Sequence, residues 1–182
     1  MIEIWDAYDR QFNKLENIQL VRGEVIPEGM YHLVCEIIVK HTDGTYLLMQ
    51  RDFEKHYGGM WELTAGGSAL AGEIPMECAL RELKEETGIV SLELQEIGRV
   101  VHDGHHSLYV EYLCTTNWDK NAVILQKGET VDYKWVDKKT IMEMEVDTLA
   151  SSRSLKIFQE RDIDDNLQKN GIGNLKRWRT MM

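Results

Sequence analysis

One stretch constrains this 182-residue chain more than any other. Gly67 is followed by Glu73, then by Arg81-Glu82-Leu83, Glu85-Glu86 and Gly88-Ile89. Gly66 and Gly67 permit a tight loop free of side chains, where backbone can approach a phosphate or a metal closely. From Ile74 to Thr87 the period becomes helical. Met76, Ala79, Leu80 and Leu83 stand at i, i+3, i+4 and i+7 and form one apolar stripe, and Gly88 follows as a C-cap. Glu82, Glu85 and Glu86 fall at i, i+3 and i+4 on the same helix, so their carboxylates cluster on one side. Like charges at this spacing repel by a few tenths of a kcal/mol per exposed pair. A solvated acidic face tolerates that repulsion, and a hard divalent cation with oxygen ligands offsets it. The helix alone does not choose between the two.

The remaining chain is that of a folded protein. Hydrophobic residues make up 43% and charged residues 29%, enough for a packed core and against global disorder. The formal net charge of −10 argues against binding a nucleic-acid polymer or an anionic membrane. Cys35, Cys78 and Cys114 are widely spaced, with no CxxC to suggest a zinc site or a disulfide framework, and read as small core residues. The acidic N-terminal residues do not resemble a signal peptide, and no apolar run approaches the ~20 residues of a membrane span. These features together predict a cytoplasmic protein.

Residues 1–29 read as an N-terminal extension with a short strand around Ile2–Tyr8, and residues 30–182 as the main domain. Tyr31–Lys40 and Thr45–Arg51 read as strands joined through a hairpin turn at Thr42-Asp43-Gly44. A short strand over Trp61–Thr64 leads into the glycine loop. Further strands are expected at Leu92–His102, Leu108–Thr116 and Val131–Val136. Asp137 is positioned to N-cap a helix through about Met144, and an amphipathic helix should cover Ser151–Leu167. Strands with a few helices, lacking regular βαβ alternation, predict an α/β (α+β) fold with a mixed sheet between helices.

The pattern over Gly67–Ile89 is G-x5-E-x7-R-E-U-x-E-E-x-G-U, with U aliphatic, matched at every fixed position. Here the sequence resembles the Nudix hydrolase family, whose defining box this is. The resemblance implies the Nudix α/β/α sandwich and cleavage of a diphosphate linkage with Mg²⁺ or Mn²⁺. It implies that Glu82, Glu85 and Glu86 ligate the metal, joined by the carbonyl of Gly66, and that Glu73 pairs with Arg81 to brace the loop against the helix. Water would then attack one phosphorus. The general base is left open between Glu86 and Glu129 on the later loop Gln126–Val131, with Glu111 a further candidate.

Other residues are candidates for reading the substrate. Arg51 could clamp a phosphate bidentately or form an ion pair. Trp61, Tyr31 and Trp135 could stack on a base or belong to the core. His102, His105 and His106 form either a functional cluster or a polar turn. Lys176, Arg177 and Arg179 make a basic tail. Spare apolar surface on the extension and the last helix makes a homodimer plausible.

Glu3–Asp9, Arg22-Gly23 and Thr64–Gly67 resemble hydrolases related to isopentenyl-diphosphate isomerase. The isomerase chemistry needs a Cys where this chain has Gly66, and a His where it has Ser68, so hydrolysis is favoured. A Nudix-fold sensor module without turnover is the other alternative, and the intact box acids speak against it.

Overall fold

The computed structural model describes residues 2–160. Its centre is a seven-stranded mixed sheet built around β3 (His32–His41) and β8 (Ser107–Thr116), which run parallel through ten register pairs. β7 (Gln95–His102) closes one side antiparallel to β8. The other edge of β3 is shared. β6 (Thr64–Ser68) pairs with it from Val34 to Ile38, and β4 (Tyr46–Arg51) meets it only at Lys40↔Tyr46. The hairpin expected at Thr42–Gly44 therefore exists only at its root. β4 leaves β3 and pairs instead with β9 (Thr130–Val136) and the two-residue β5 (Trp61–Glu62).

Side-chain alternation assigns the two faces of β3. Leu33, Cys35, Ile37 and Val39 point into one core with Cys78, Ala79 and Leu83 of α1 (Pro75–Thr87). Ile38 points the other way, to Ile141 of α2 (Lys138–Met142) and Leu155, Ile157 and Phe158 of α3 (Ser152–Glu160). Burying each such aliphatic side chain contributes about 1.5–3 kcal/mol, so helices on both faces are held by the same strand. The result is the expected mixed sheet between helices.

The helix signals act where the sequence places them. Pro75 takes the first turn of α1, Glu77 accepts the Ile74 amide at 3.1 Å, and Gly88 ends the helix at φ 73° with its amide on the Lys84 carbonyl. Asp137 Oδ1 caps α2 by accepting the Thr140 amide at 2.7 Å. The described part of α3 runs from Ser152 to Glu160, so the rest of the helix expected to Leu167 and the basic Lys176, Arg177 and Arg179 lie outside the described residues.

The N-terminal extension holds more than the short strand expected of it. β1 (Ile4–Tyr8) pairs antiparallel with β2 (Lys14–Val21) in a separate two-stranded sheet with its own small core of Trp5, Ala7 and Leu20. Tyr8 and Tyr31 exchange backbone hydrogen bonds and join this hairpin to the domain.

Candidate active site

Arg81 organises the glycine loop and the acidic face together. Its Nε and Nη2 donate to the two oxygens of Glu73 at 2.6 and 2.8 Å, and Nη2 also reaches the Ser68 carbonyl at 3.1 Å. Nη1 donates to Glu82 at 2.7 Å and to Glu85 at 3.2 Å. Glu73 accepts the Leu70 amide at 2.8 Å as well. Burial alone would raise the Glu73 pKa, but the hydrogen bonds from Arg81 and Leu70 hold it below the ordinary value.

The three helix acids have different surroundings. Glu85 is half exposed. Burial raises the pKa of Glu82, and its bond to Arg81 opposes the rise only in part. A Cβ on residue 67 would lie 2.5 Å from Oε1, so any side chain at Gly67 would displace this carboxylate. Glu86 turns over the sheet and accepts the Gly66 amide at 3.0 Å. Burial pushes its pKa to about 8, and nearby Glu62 and Glu82 add to the rise against the Gly66 amide and Lys55.

Gly66 also has no room for a side chain, because a Cβ would lie 2.1 Å from the Cys35 carbonyl. Its register partner on β3 is Glu36, whose partner on β8 is Glu111. Both glutamates lie in this row across the sheet, and Glu111 is buried. Arg153 of α3 donates from Nε and Nη2 to the two oxygens of Glu36 and stacks 3.5 Å over the Tyr109 ring. Burial raises the Glu36 pKa, Arg153 opposes this, and Glu62 adds to it.

The end of β4 and the loop after it supply the cations. Arg51 pairs with Glu62 and donates from Nε to the His56 carbonyl at 2.8 Å. Lys55 pairs with Glu129, and the Glu129 carbonyl accepts the Asp52 amide at 2.9 Å. Burial, then Arg51, lowers the Lys55 pKa, while Glu62 and Glu86 oppose the shift. Glu129 is thus tied to Lys55, whose charge acts on Glu86.

The structure brings together Glu73, Arg81, Glu82, Glu85, Glu86, Gly66 and Gly67. Among the described residues, no three His, Cys, Asp or Glu side chains converge on one point as a ready metal cage. The Arg81 guanidinium takes Glu82 and Glu85, and Glu86 takes the Gly66 amide. The donor set of clustered carboxylates, with Glu82 and Glu86 shifted toward protonation by burial, has the chemistry of a hard-cation site.

Other candidates resolve differently. Tyr31 is buried with its hydroxyl on Asp103 at 2.7 Å, and Trp135 is partly buried against the core, its Nε1 donating to the Lys120 carbonyl. Trp61 lies under the Lys134 ammonium at 3.8 Å. His102 and His105 stack in the turn between β7 and β8, and His106 bonds the Met30 carbonyl. That turn is pinned by Arg10 to Asp103. Sequence reasoning missed Lys55, Glu62, Glu36 and Arg153. Only Lys55 left a signal, as a second cation four residues after Arg51 in the loop leading to the glycines.

A NUDIX domain model matches residues 30–157. An uncharacterised Nudix hydrolase of Listeria monocytogenes is 28% identical over 141 residues, covering 77% of this chain and 83% of the relative. An isopentenyl-diphosphate Delta-isomerase of Photobacterium profundum is 30% identical over 121 residues, covering 61% of this chain and 67% of that enzyme. A solved structure from Deinococcus radiodurans superposes with a TM-score of 0.69 over 87% of this chain and 98% of its own, at 14% identity, a likeness of fold. The chain belongs to the Nudix hydrolase family. It is therefore an enzyme of the class that hydrolyses pyrophosphate bonds in small molecules.

Proposed function

We propose that this enzyme is a divalent-metal-dependent pyrophosphohydrolase, with Mg²⁺ or Mn²⁺ held by Glu82, Glu85 and Glu86 and by the Gly66 carbonyl. Its substrate class is a nucleoside diphosphate linked to a second group, or a related diphosphate. The observation that carries the reading is Glu86, a half-buried carboxylate fixed by the Gly66 amide beside two further acids, Glu62 and Glu82. A cation at that place offsets charge that burial otherwise disfavours.

When bound, the divalent ion neutralises the diphosphate and acidifies the attacking water. Arg81 with Glu73 fixes the glycine loop against α1. Arg51, at the end of β4, and Lys55, in the loop after it, present positive charge to the phosphates. Glu86, fixed at the centre of the acids, takes the proton of the attacking water, while Glu129 holds Lys55 in place.

Isomerisation is disfavoured by the cysteines. Cys35, Cys78 and Cys114 are buried. Hydrogen bonding with Cys78 and burial push the Cys35 thiol up, and burial does the same to Cys114. None is poised to exchange a proton with a substrate at Gly66.

The test is product release from nucleotide sugars, dinucleoside polyphosphates and nucleoside triphosphates with Mg²⁺, Mn²⁺ or chelator, in the wild type and Glu86→Gln. Metal-dependent turnover lost in the variant is expected. Turnover indifferent to chelator, or retained by Glu86→Gln, would overturn the reading.

A further inference from the structure

We propose that the N-terminal hairpin is a clamp on the metal-site loop, with Asp6 as its positioning residue. The loop from Ser68 to Glu73 carries both groups that Arg81 holds from outside the helix, the Ser68 carbonyl and the Glu73 carboxylate. Three of its amides are satisfied within the domain: Ala69 bonds the Leu33 carbonyl, Leu70 the Glu73 carboxylate, and Glu73 the Leu70 carbonyl. The two between Leu70 and Glu73 are satisfied by the hairpin. Ala71 donates to the Ile4 carbonyl at 2.8 Å, and Gly72 donates to Asp6 Oδ2 at 2.7 Å.

Asp6 is itself fixed. Its side chain is buried, and Lys14 on the partner strand donates to the same oxygen at 2.6 Å. Gly72 sits at φ +91°, a left-handed turn that aims its amide at that oxygen. The start of the loop is reached from the same strand. The Trp5 indole stacks on His32 at 4.2 Å and 17°, and the His32 ring bridges the hydroxyls of Ser68 and Ser107 at 3.3 and 2.8 Å.

The loop is thus held between two parts, Arg81 on the helix side and the hairpin on the other. Freeing the hairpin side lets Glu73 shift, and Glu73 sets how far Arg81 engages Glu82 and Glu85. The hairpin therefore acts on the metal site without touching it. This consequence rests on the metal-site reading above, while the clamp itself does not.

The experiment compares Asp6→Ala, Asp6→Asn and Arg10→Ala in the full chain. Asn keeps an acceptor for the Gly72 amide. Arg10 ties the hairpin to Asp103, away from the loop, and serves as the control. Amide hydrogen exchange over residues 68–73 is read in metal-free protein, and Mn²⁺ affinity by titration.

In the wild type the Ala71 and Gly72 amides should be protected. Asp6→Ala should speed their exchange about tenfold or more and weaken Mn²⁺ binding by about tenfold. Asp6→Asn and Arg10→Ala should stay close to wild type in both. Fast exchange at Ala71 and Gly72 in the wild type overturns the clamp, even if Asp6→Ala does not fold. Equal loosening by Arg10→Ala also overturns it. A loosened loop with unchanged Mn²⁺ affinity overturns the positioning role. A wild type that binds no Mn²⁺ defeats the metal reading instead, and the exchange data still judge the clamp.

Discussion

Arg81 grips Glu73 through two parallel hydrogen bonds, Nε to Oε1 at 2.6 Å and Nη2 to Oε2 at 2.8 Å. The same guanidinium holds Glu82 and Glu85, so the brace and the acidic face share one cation. Glu73→Gln should lower kcat/KM by about 10–100-fold while the protein stays folded. Arg81→Lys should do the same, because an ammonium cannot reproduce the planar fork. Steady-state kinetics with parallel melts check this, and near-wild-type kcat/KM in both variants would remove the brace.

Gly66 and Gly67 exclude side chains for different reasons, and alanine should separate them. A Cβ at Gly66 strikes the backbone of β3, 2.1 Å from the Cys35 carbonyl. Gly66→Ala should therefore lower stability by about 1–3 kcal/mol or more. A Cβ at Gly67 meets first the flexible end of Glu82. Gly67→Ala should leave the melting temperature nearly unchanged and cut activity through a displaced carboxylate. Thermal melts and kinetics on the pair settle the order. A Gly67→Ala enzyme of full activity would show that the position of Glu82 is immaterial.

Glu86→Gln should cost at least about a hundredfold in turnover and yet not destabilise the metal-free protein. The Glu86 pKa is raised from 4.5 to about 8, chiefly by burial. The folded state then holds a proton that the unfolded state has lost, so the wild type loses stability as pH rises between about 4.5 and about 8. The neutral amide removes that loss. The difference in melting temperature between variant and wild type, in chelator, should grow in the variant's favour across this window. A flat difference would show that Glu86 is ionised without penalty.

His32 should give the opposite slope. Burial lowers its pKa from 6.5 to about 4, with Arg22 also lowering it and Glu3 opposing. The folded state resists taking a proton that the unfolded state accepts, so stability falls as pH drops from about 6.5 toward about 4 and levels off below. His32→Gln should flatten this part of the profile. Melts from pH 4 to 8 test it, and an unchanged slope in the variant would assign the acid sensitivity elsewhere.

The helix of the box was legible because each of its signals is local. Gly88 and the stripe through Leu83 act within a few residues, and Asp137 caps α2 in the same way. Strand pairing was less so. Lys14–Val21 alternates weakly and is the outer strand of a two-stranded sheet, with only Leu20 buried along it. β3 and β4 looked like a simple hairpin, but which strand takes the edge of β3 is decided by β6, from beyond the intervening loop. The Glu73–Arg81 pair was implied by the box. The pairing of Glu36 with Arg153 was invisible, because the two stand 117 residues apart and meet only when α3 crosses the sheet. The Gly66 amide on Glu86 also escaped, since a glycine in a sequence does not reveal which way its amide points.

The parallel pair of β3 and β8 has a consequence for how the chain is made. Partners such as His32 and Ser107 lie 75 residues apart in sequence, and the whole box is synthesised between them. Local structure such as α1 can form on the emerging chain, but the sheet beneath it cannot close until β8 has left the ribosome. Long-range pairing of this kind slows folding and leaves apolar strand faces uncovered in the interval. The apolar face of β3 should then be the stretch most open to chaperones and to misassembly. A ribosome-bound chain halted before Ser107 is expected to be protease-sensitive throughout β3, and one halted well past Thr116 to be protected there.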